Sequence, residues 1–191
     1  EQSYMSRMAD DLRSSISTFE AEIETATASR SALERFMSAI EAPSTPDAEL
    51  LSATQGYLTE GVFLAAFTPT RATFEELRST GNLDIIRDRQ LREALIDLDT
   101  FYDSSNDSFS VNLAFVSPAD ADYIMRVDTF LFDARLADRI AVRSPEARAS
   151  YIRANRALMM RHAAMHYWLK DRAIEILTDA IDETRAVLNL I

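Results

Sequence analysis

The chain has no cysteine. That excludes a disulfide, a thiol nucleophile and a cysteine-ligated zinc site, and it leaves the compartment open, because cysteine-free chains suit the cytosol and the periplasm alike. Glycine and proline are also scarce, at three and five residues in 191. So few breakers among abundant Ala, Leu, Arg and Glu point to long helices, and no run alternates with period two for long enough to read as a strand. Lysine occurs once, as Lys170, against nineteen arginines, a bias read mainly as the mark of a GC-rich genome. No run of about eighteen apolar residues is present, so no segment reads as a membrane-spanning helix. Positive charge is short as well. The formal net charge is −11 and the pI about 4.6. Such a field repels phosphate backbones and anionic lipid surfaces, so no nucleic-acid partner is expected.

Apolar residues make up 47% of the chain, enough for one sizeable core, and residues 1–191 read as a single helical-bundle domain. From Ser3 to Glu41 the positions Met5, Met8, Leu12, Ile16, Phe19, Ile23, Ala26, Leu33, Phe36, Met37 and Ile40 keep helical spacing, mostly steps of three or four with one of seven between Ala26 and Leu33. This predicts an amphipathic helix about 60 Å long, which must bury its stripe against equally long partners. Pro43 and Pro46 end it, and Thr45 is the expected cap of a second helix that runs to Phe67 with bends near Gly56 and Gly61. Thr73 and Glu76 match the capping-box pattern at the start of a short helix that stops at Gly81. Asp88 caps the next, which holds its helical phase to Val116 across the polar patch 103–108. Ser117-Pro118 reads as a fresh start for a helix through Tyr123, Val127, Phe130 and Ile140. Ser144-Pro145 starts the last, predicted to run unbroken for about 69 Å to Leu190. The expected fold is therefore all-α: an elongated antiparallel bundle with two long terminal helices and shorter ones between them.

The connector Gly81-Asn82-Leu83-Asp84-Ile85-Ile86 spends three large apolar residues where turns usually place polar ones. A corner docked into a core explains this if Gly81 adopts the left-handed conformation that closes a helix. A recognition surface is the alternative. The stretch Phe74-Glu75-Glu76-Leu77-Arg78-Ser79-Thr80-Gly81-Asn82-Leu83-Asp84-Ile85-Ile86, with Leu91-Arg92-Glu93-Ala94-Leu95 after it, resembles the core signature of an uncharacterised bacterial family. Its members are small proteins with one N-terminal membrane span and an extracytoplasmic helical domain. The segment Glu1-Gln2-Ser3-Tyr4-Met5 looks like the one that follows the span in that family, and Ser144-Pro145-Glu146 fits the start of its last helix. The resemblance implies a periplasmic domain on the outer side of the inner membrane, anchored by a span that precedes these residues. That agrees with a chain that starts at Glu1 rather than Met. The family has no established activity and transfers no functional residues.

Candidate chemistry is sparse. The only histidines, His162 and His166, are four apart and share a helix face. With a carboxylate from a neighbouring helix the pair could ligate zinc, copper or nickel, and without one they read as hydrogen-bonded interior residues. Met159, Met160 and Met165 flank them and read as core filler before copper ligands. His166 and Lys170 both fall on the apolar stripe of the last helix. The aromatics, from Tyr57 to Trp168, should mostly pack inside, with a subset able to line an apolar pocket. Acids such as Asp97, Asp99, Asp103, Asp120 and Asp122 are abundant and mostly solvate helix faces. Asp103 to Asp107 lacks the Gly and distal Glu of a calcium loop. No phosphate loop, nucleophile elbow or dinucleotide fingerprint occurs, so neither catalysis nor a cofactor is expected. The first functional expectation is an interaction or scaffold domain that self-associates or binds another protein. The second is a sensor-like domain holding a small ligand or metal within the bundle, which convergence of His162 and His166 with a carboxylate would favour.

Overall fold

The computed structural model describes residues 2–128 and 144–191. They form α1 (Gln2–Glu41), α2 (Asp47–Gly56) continued by a π-turn (Tyr57–Gly61), α3 (Ala72–Ser79), a single 3-10 turn (Leu83–Ile85), α4 (Arg89–Arg126), α5 (Pro145–Ala154) and α6 (Arg156–Leu188). No strand occurs among the described residues, so the all-α bundle expected from the scarcity of breakers is what forms. The chain divides into two compact units, one made of 1–24, 65–111 and 173–191, the other of 25–64 and 112–172.

In the first unit, Met8, Leu12 and Phe19 of α1 pack with Phe74 and Leu77 of α3, Leu91, Leu95, Leu98 and Tyr102 of α4, and Leu177, Ala180 and Ile181 of α6. The apolar connector belongs to this core. Gly81 has φ +71°. The N–H of Asn82 reaches the Leu77 carbonyl at 2.9 Å and that of Gly81 the Arg78 carbonyl at 3.2 Å, the paired bonds of a Schellman closure. Ile86 is then fully buried, and Leu83 and Ile85 pack partly buried against the same cluster. The corner reading of 81–86 holds.

The capping box does not form. α3 starts at Ala72, and Thr73 lies buried inside it. Its N–H is taken by a carboxylate from another helix, Asp11 Oδ2 on α1, at 2.8 Å. Glu76 faces outward to Arg7 at 2.7 Å and Tyr4 at 3.2 Å. A tertiary partner has replaced the local one. Asp11 does the same work for the free N–H groups of the first turn and places a negative charge at the helix's positive end. Nearby, Asp99 is buried between Arg71, at 3.0 Å, and Arg78, while Arg71 also reaches Asp103 at 2.7 Å.

In the second unit, Leu33, Phe36 and Ile40 of α1 pack with Leu50 of α2, Tyr57 of the π-turn, Tyr123 of α4 and Val127 just after it, Ala149 and Ile152 of α5, and Met159 and Ala163 of α6. Arg30 pairs with Asp171 at 2.7 Å and Glu34 accepts from Tyr167 at 3.0 Å. The residue numbers run in opposite senses, so α1 and α6 are antiparallel, as expected. Gly61 allows close approach here, because a Cβ at that position would come within 2.9 Å of Leu33 Cδ2.

Four expected boundaries are corrected. Pro46, not Thr45, is the N-cap residue of α2, with no side-chain cap. The second helix ends at Gly61 and 62–71 are not helical. The last helix breaks at Asn155, whose amide nitrogen donates to the Tyr151 carbonyl at 2.9 Å. A short polar side chain competing for the backbone divides one long helix into α5 and α6. α4 does not restart at Ser117 but runs on with Pro118 inside it. The expected helix beyond residue 128 lies outside the described residues. By contrast, Asp88 caps α4 through the N–H groups of Gln90 and Leu91 at 2.8 and 3.2 Å, and Ser144 caps α5 through Ala147 N.

The corner gives a direct test. No heavy atom lies within 4 Å of a Cβ added at Gly81, so Gly81→Ala costs only the left-handed backbone, about 1–2 kcal/mol. Leu77→Ala, which empties core volume beside it, costs about 2–5 kcal/mol. Urea denaturation of both variants measures the two terms. A neutral Gly81→Ala would show that the corner does not require its left-handed turn.

Candidate functional site

The second unit buries polar groups at one place on its α4–α6 face. α6 brings His162, His166 and Lys170 to the interior, three residues one helical turn apart from each other in sequence. α4 brings Asp120 and Tyr123 to the same place. That depends on α4 continuing past Pro118, which lacks an N–H for the carbonyl four residues back and would cost an isolated helix about 3 kcal/mol. Buried residues on both sides of the proline, Val116 and Tyr123, hold the helix together. The hydroxyl of Ser117 donates to the Leu113 carbonyl at 2.8 Å instead of capping a new helix.

Asp120 Oδ1 lies 2.9 Å from Nε2 of His162 and 2.9 Å from Nε2 of His166. A carboxylate only accepts, so each imidazole donates its Nε2–H to the same oxygen. His162 then has a bare Nδ1, which accepts from the Tyr57 hydroxyl at 2.6 Å. The ring of Tyr123 stacks on His162 at 3.8 Å between centroids, and Phe36 stacks on Tyr57 at 4.3 Å. These rings fix the imidazole's orientation as well as its tautomer. His166 Nδ1 and Lys170 Nζ are buried and meet no hydrogen-bond partner.

Burial dominates the electrostatics. It pulls His162 down to about 4, helped by His166 and opposed by Asp120. Burial also lowers His166. Both imidazoles are thus neutral at pH 7. Burial lowers Lys170 to about 8 despite the attraction of Asp120. It raises the Tyr57 hydroxyl far above the usual phenol range, so that group stays a donor.

Of the residues singled out in the sequence, His162 and His166 come together as one pair. Met159 is buried in the surrounding core. Asp103 and Asp107 lie within α4 and form no loop. Asp120, Tyr57 and Tyr123 carried no individual signal. Lys170 did, as the only lysine of the chain and one placed on an apolar stripe. Asp120, His162 and His166 each offer one ligand atom to a common place, these atoms lying within 4.8 Å of one another, so the three could hold a metal ion. Alternatively, they are a hydrogen-bonded knot joining α4 to α6. No family model matches the chain, and no curated protein or solved structure does either.

Two consequences are measurable. Unfolded histidine titrates near 6.5 and folded His162 near 4. Between these values the unfolded chain binds more protons, so stability is complete above about 6.5 and falls as pH drops towards 4. The buried imidazole pair His162 and His166 together contributes a loss on the order of a few kcal/mol. Urea midpoints at pH 7 and pH 4.5 should fall further for the wild type than for His162→Gln, and equal losses would contradict the neutral buried imidazole. Lys170→Met removes a buried ammonium that has no hydrogen-bond partner, and should raise the unfolding free energy at pH 7 by about 1–4 kcal/mol. A destabilised Lys170→Met would mean that the ammonium is well satisfied where it lies.

Proposed function

We infer that the chain is a sensor-like helical domain that binds a small ligand or a metal within its second unit, rather than an enzyme. The observation that carries this reading is the convergence of two neutral imidazoles on one carboxylate oxygen, at 2.9 Å each, in the interior of a helical unit. A purely apolar joint would have served packing as well. Three further polar atoms there, His166 Nδ1, Lys170 Nζ and the Tyr123 hydroxyl, lie buried without partners, which is uncommon in a finished core and is what convergent groups in a binding site look like. Access comes from the Asp120 side, since that side chain is 32% exposed while His166 is fully covered.

The resemblance of residues 74–95 to the membrane-anchored family supports an extracytoplasmic, periplasmic location as part of the same proposal. An interaction or scaffold role is the second reading. It is favoured by Leu113, Phe115, Ile124 and Met125 of α4, which are exposed among the described residues, and its partner would be a second copy or another protein.

Native mass spectrometry of protein purified without chelator or affinity-tag metal tests the first reading. The expected spectrum holds a retained ligand or ion in the wild type that is missing from Asp120→Asn, a variant that keeps the shape and an acceptor oxygen but loses the charge. A bare chain from every preparation, with no added ligand or ion shifting its melting temperature, would leave the second reading standing.

A further inference from the structure

Resting on the reading of this cluster as a binding site, we propose that its ligand is a divalent first-row transition-metal ion, held by His162 Nε2, His166 Nε2 and Asp120 Oδ1, with Lys170 as the charge that limits how tightly it is held.

The donor geometry supports an ion. Two donors bound to one ion at about 2.0–2.1 Å stand about 2.9 Å apart at right angles and about 3.3 Å apart at the tetrahedral angle. Both His–Asp separations here are 2.9 Å. The ion would take the Nε2 lone pairs, each imidazole keeping its single proton on Nδ1 instead, and the carboxylate would swing from the N–H axes to make room for it. Donor chemistry narrows the class. Two imidazoles and one carboxylate suit zinc, cobalt, nickel or ferrous iron, whereas calcium and magnesium prefer all-oxygen sites. No thiolate is available, because the chain has no cysteine.

The neighbours are arranged for ligation. A metal-bound Nε2 leaves the proton on Nδ1, where it needs an acceptor. For His162 that acceptor is in place. The Tyr57 oxygen, 2.6 Å from Nδ1, accepts once its own hydrogen turns away. The stacked Tyr123 ring holds the imidazole in that plane. His166 Nδ1 has no such partner, which makes His162 the better oriented of the two nitrogen ligands. Three protein ligands leave open positions for water or a small exogenous donor, on the side where Asp120 meets solvent.

Lys170 works against the ion. It follows His166 by one turn of α6, its side chain leans back over that turn, and it is 1% exposed. Its ammonium already balances the single negative charge of Asp120. An incoming dication therefore leaves the cluster with excess positive charge, in surroundings where charge is poorly screened. The site should bind its ion reversibly and at moderate affinity, as a sensor needs, and not as a permanent structural centre.

Cobalt(II) titration of the 191-residue chain, followed by visible absorption and calorimetry, tests the assignment. The expected result is one Co²⁺ per chain, displaced by Zn²⁺. Asp120→Asn should weaken it at least thirtyfold, and Tyr57→Phe about tenfold. Lys170→Met should tighten it at least tenfold. Circular dichroism of each variant checks that the helices remain, and His162→Gln serves as a second ligand variant if Asp120→Asn does not fold. A folded chain that takes up neither Co²⁺ nor Zn²⁺ at millimolar concentration overturns the proposal, as does uptake that Asp120→Asn and His162→Gln both leave unchanged. Equal affinity in Lys170→Met overturns the role given to that charge. A retained organic molecule without metal in the native mass spectrum overturns the metal while keeping the binding site, whereas no bound species of any kind removes both.

Discussion

A carboxylate that partly leaves water must find donors for its charge, and in the second unit Asp120, half-buried, finds them on a different helix. One of its oxygens takes an N–H from each of two imidazoles a turn apart on α6. Everything around it is arranged to permit this. α4 stays helical past Pro118 so that Asp120 reaches the α6 histidines. Tyr57 supplies the donor that completes His162. Stacked rings of Tyr123 and Phe36 keep imidazole and phenol in place. The joint ties helices far apart in sequence by directional bonds instead of apolar contact alone. Directional bonds among buried groups give less net stability than their number suggests, because desolvation offsets them. They fix geometry instead, and fixed geometry at polar atoms is what a binding site requires.

The first unit solves its polar problems differently. Its carboxylates either cap or pair: Asp11 takes the N–H of Thr73 at the start of α3, and Asp99 lies between Arg71 and Arg78. Each buried charge there has an opposite charge or a helix terminus as its partner. Among the described residues, it is the second unit that keeps a buried cation, Lys170, without a hydrogen bond.

The parts of the fold legible in sequence are those set by residues close in the chain. Gly81 could be read as a closure because a positive φ is a local requirement, and Leu83, Ile85 and Ile86 followed as the residues that fold onto the core. Asp88 and Ser144 were legible for the same reason, each capping N–H groups two or three residues on. The failures share a cause as well. Thr73 and Glu76 match a cap that would form in an isolated helix, but Asp11, 62 residues away, reaches the same N–H group. Pro118 ends helices in water, yet here burial on both sides outweighs the lost bond. Asn155 interrupts without glycine or proline, the only signals of a break that spacing provides. For the site, the i, i+4 spacing of His162 and His166 announced a shared face. Asp120 was one of 31 acids, and nothing local separates it from those that only solvate a surface.

The lone lysine is the most unusual member of the cluster. Every other basic residue in the chain is arginine, and every buried or half-buried arginine of the first unit's network is paired. Arginine keeps its charge in any protein environment, whereas lysine can release its proton when buried. Burial has brought Lys170 to about 8, within reach of losing its charge. An arginine there would be permanently cationic beside two imidazoles and would need more room for its planar head. A leucine would pack more cheaply. The position thus holds the one side chain that is apolar along its stem, cationic at its tip and able to give the charge up. A core that needed only packing has no use for that combination, whereas the proposed binding site would use it.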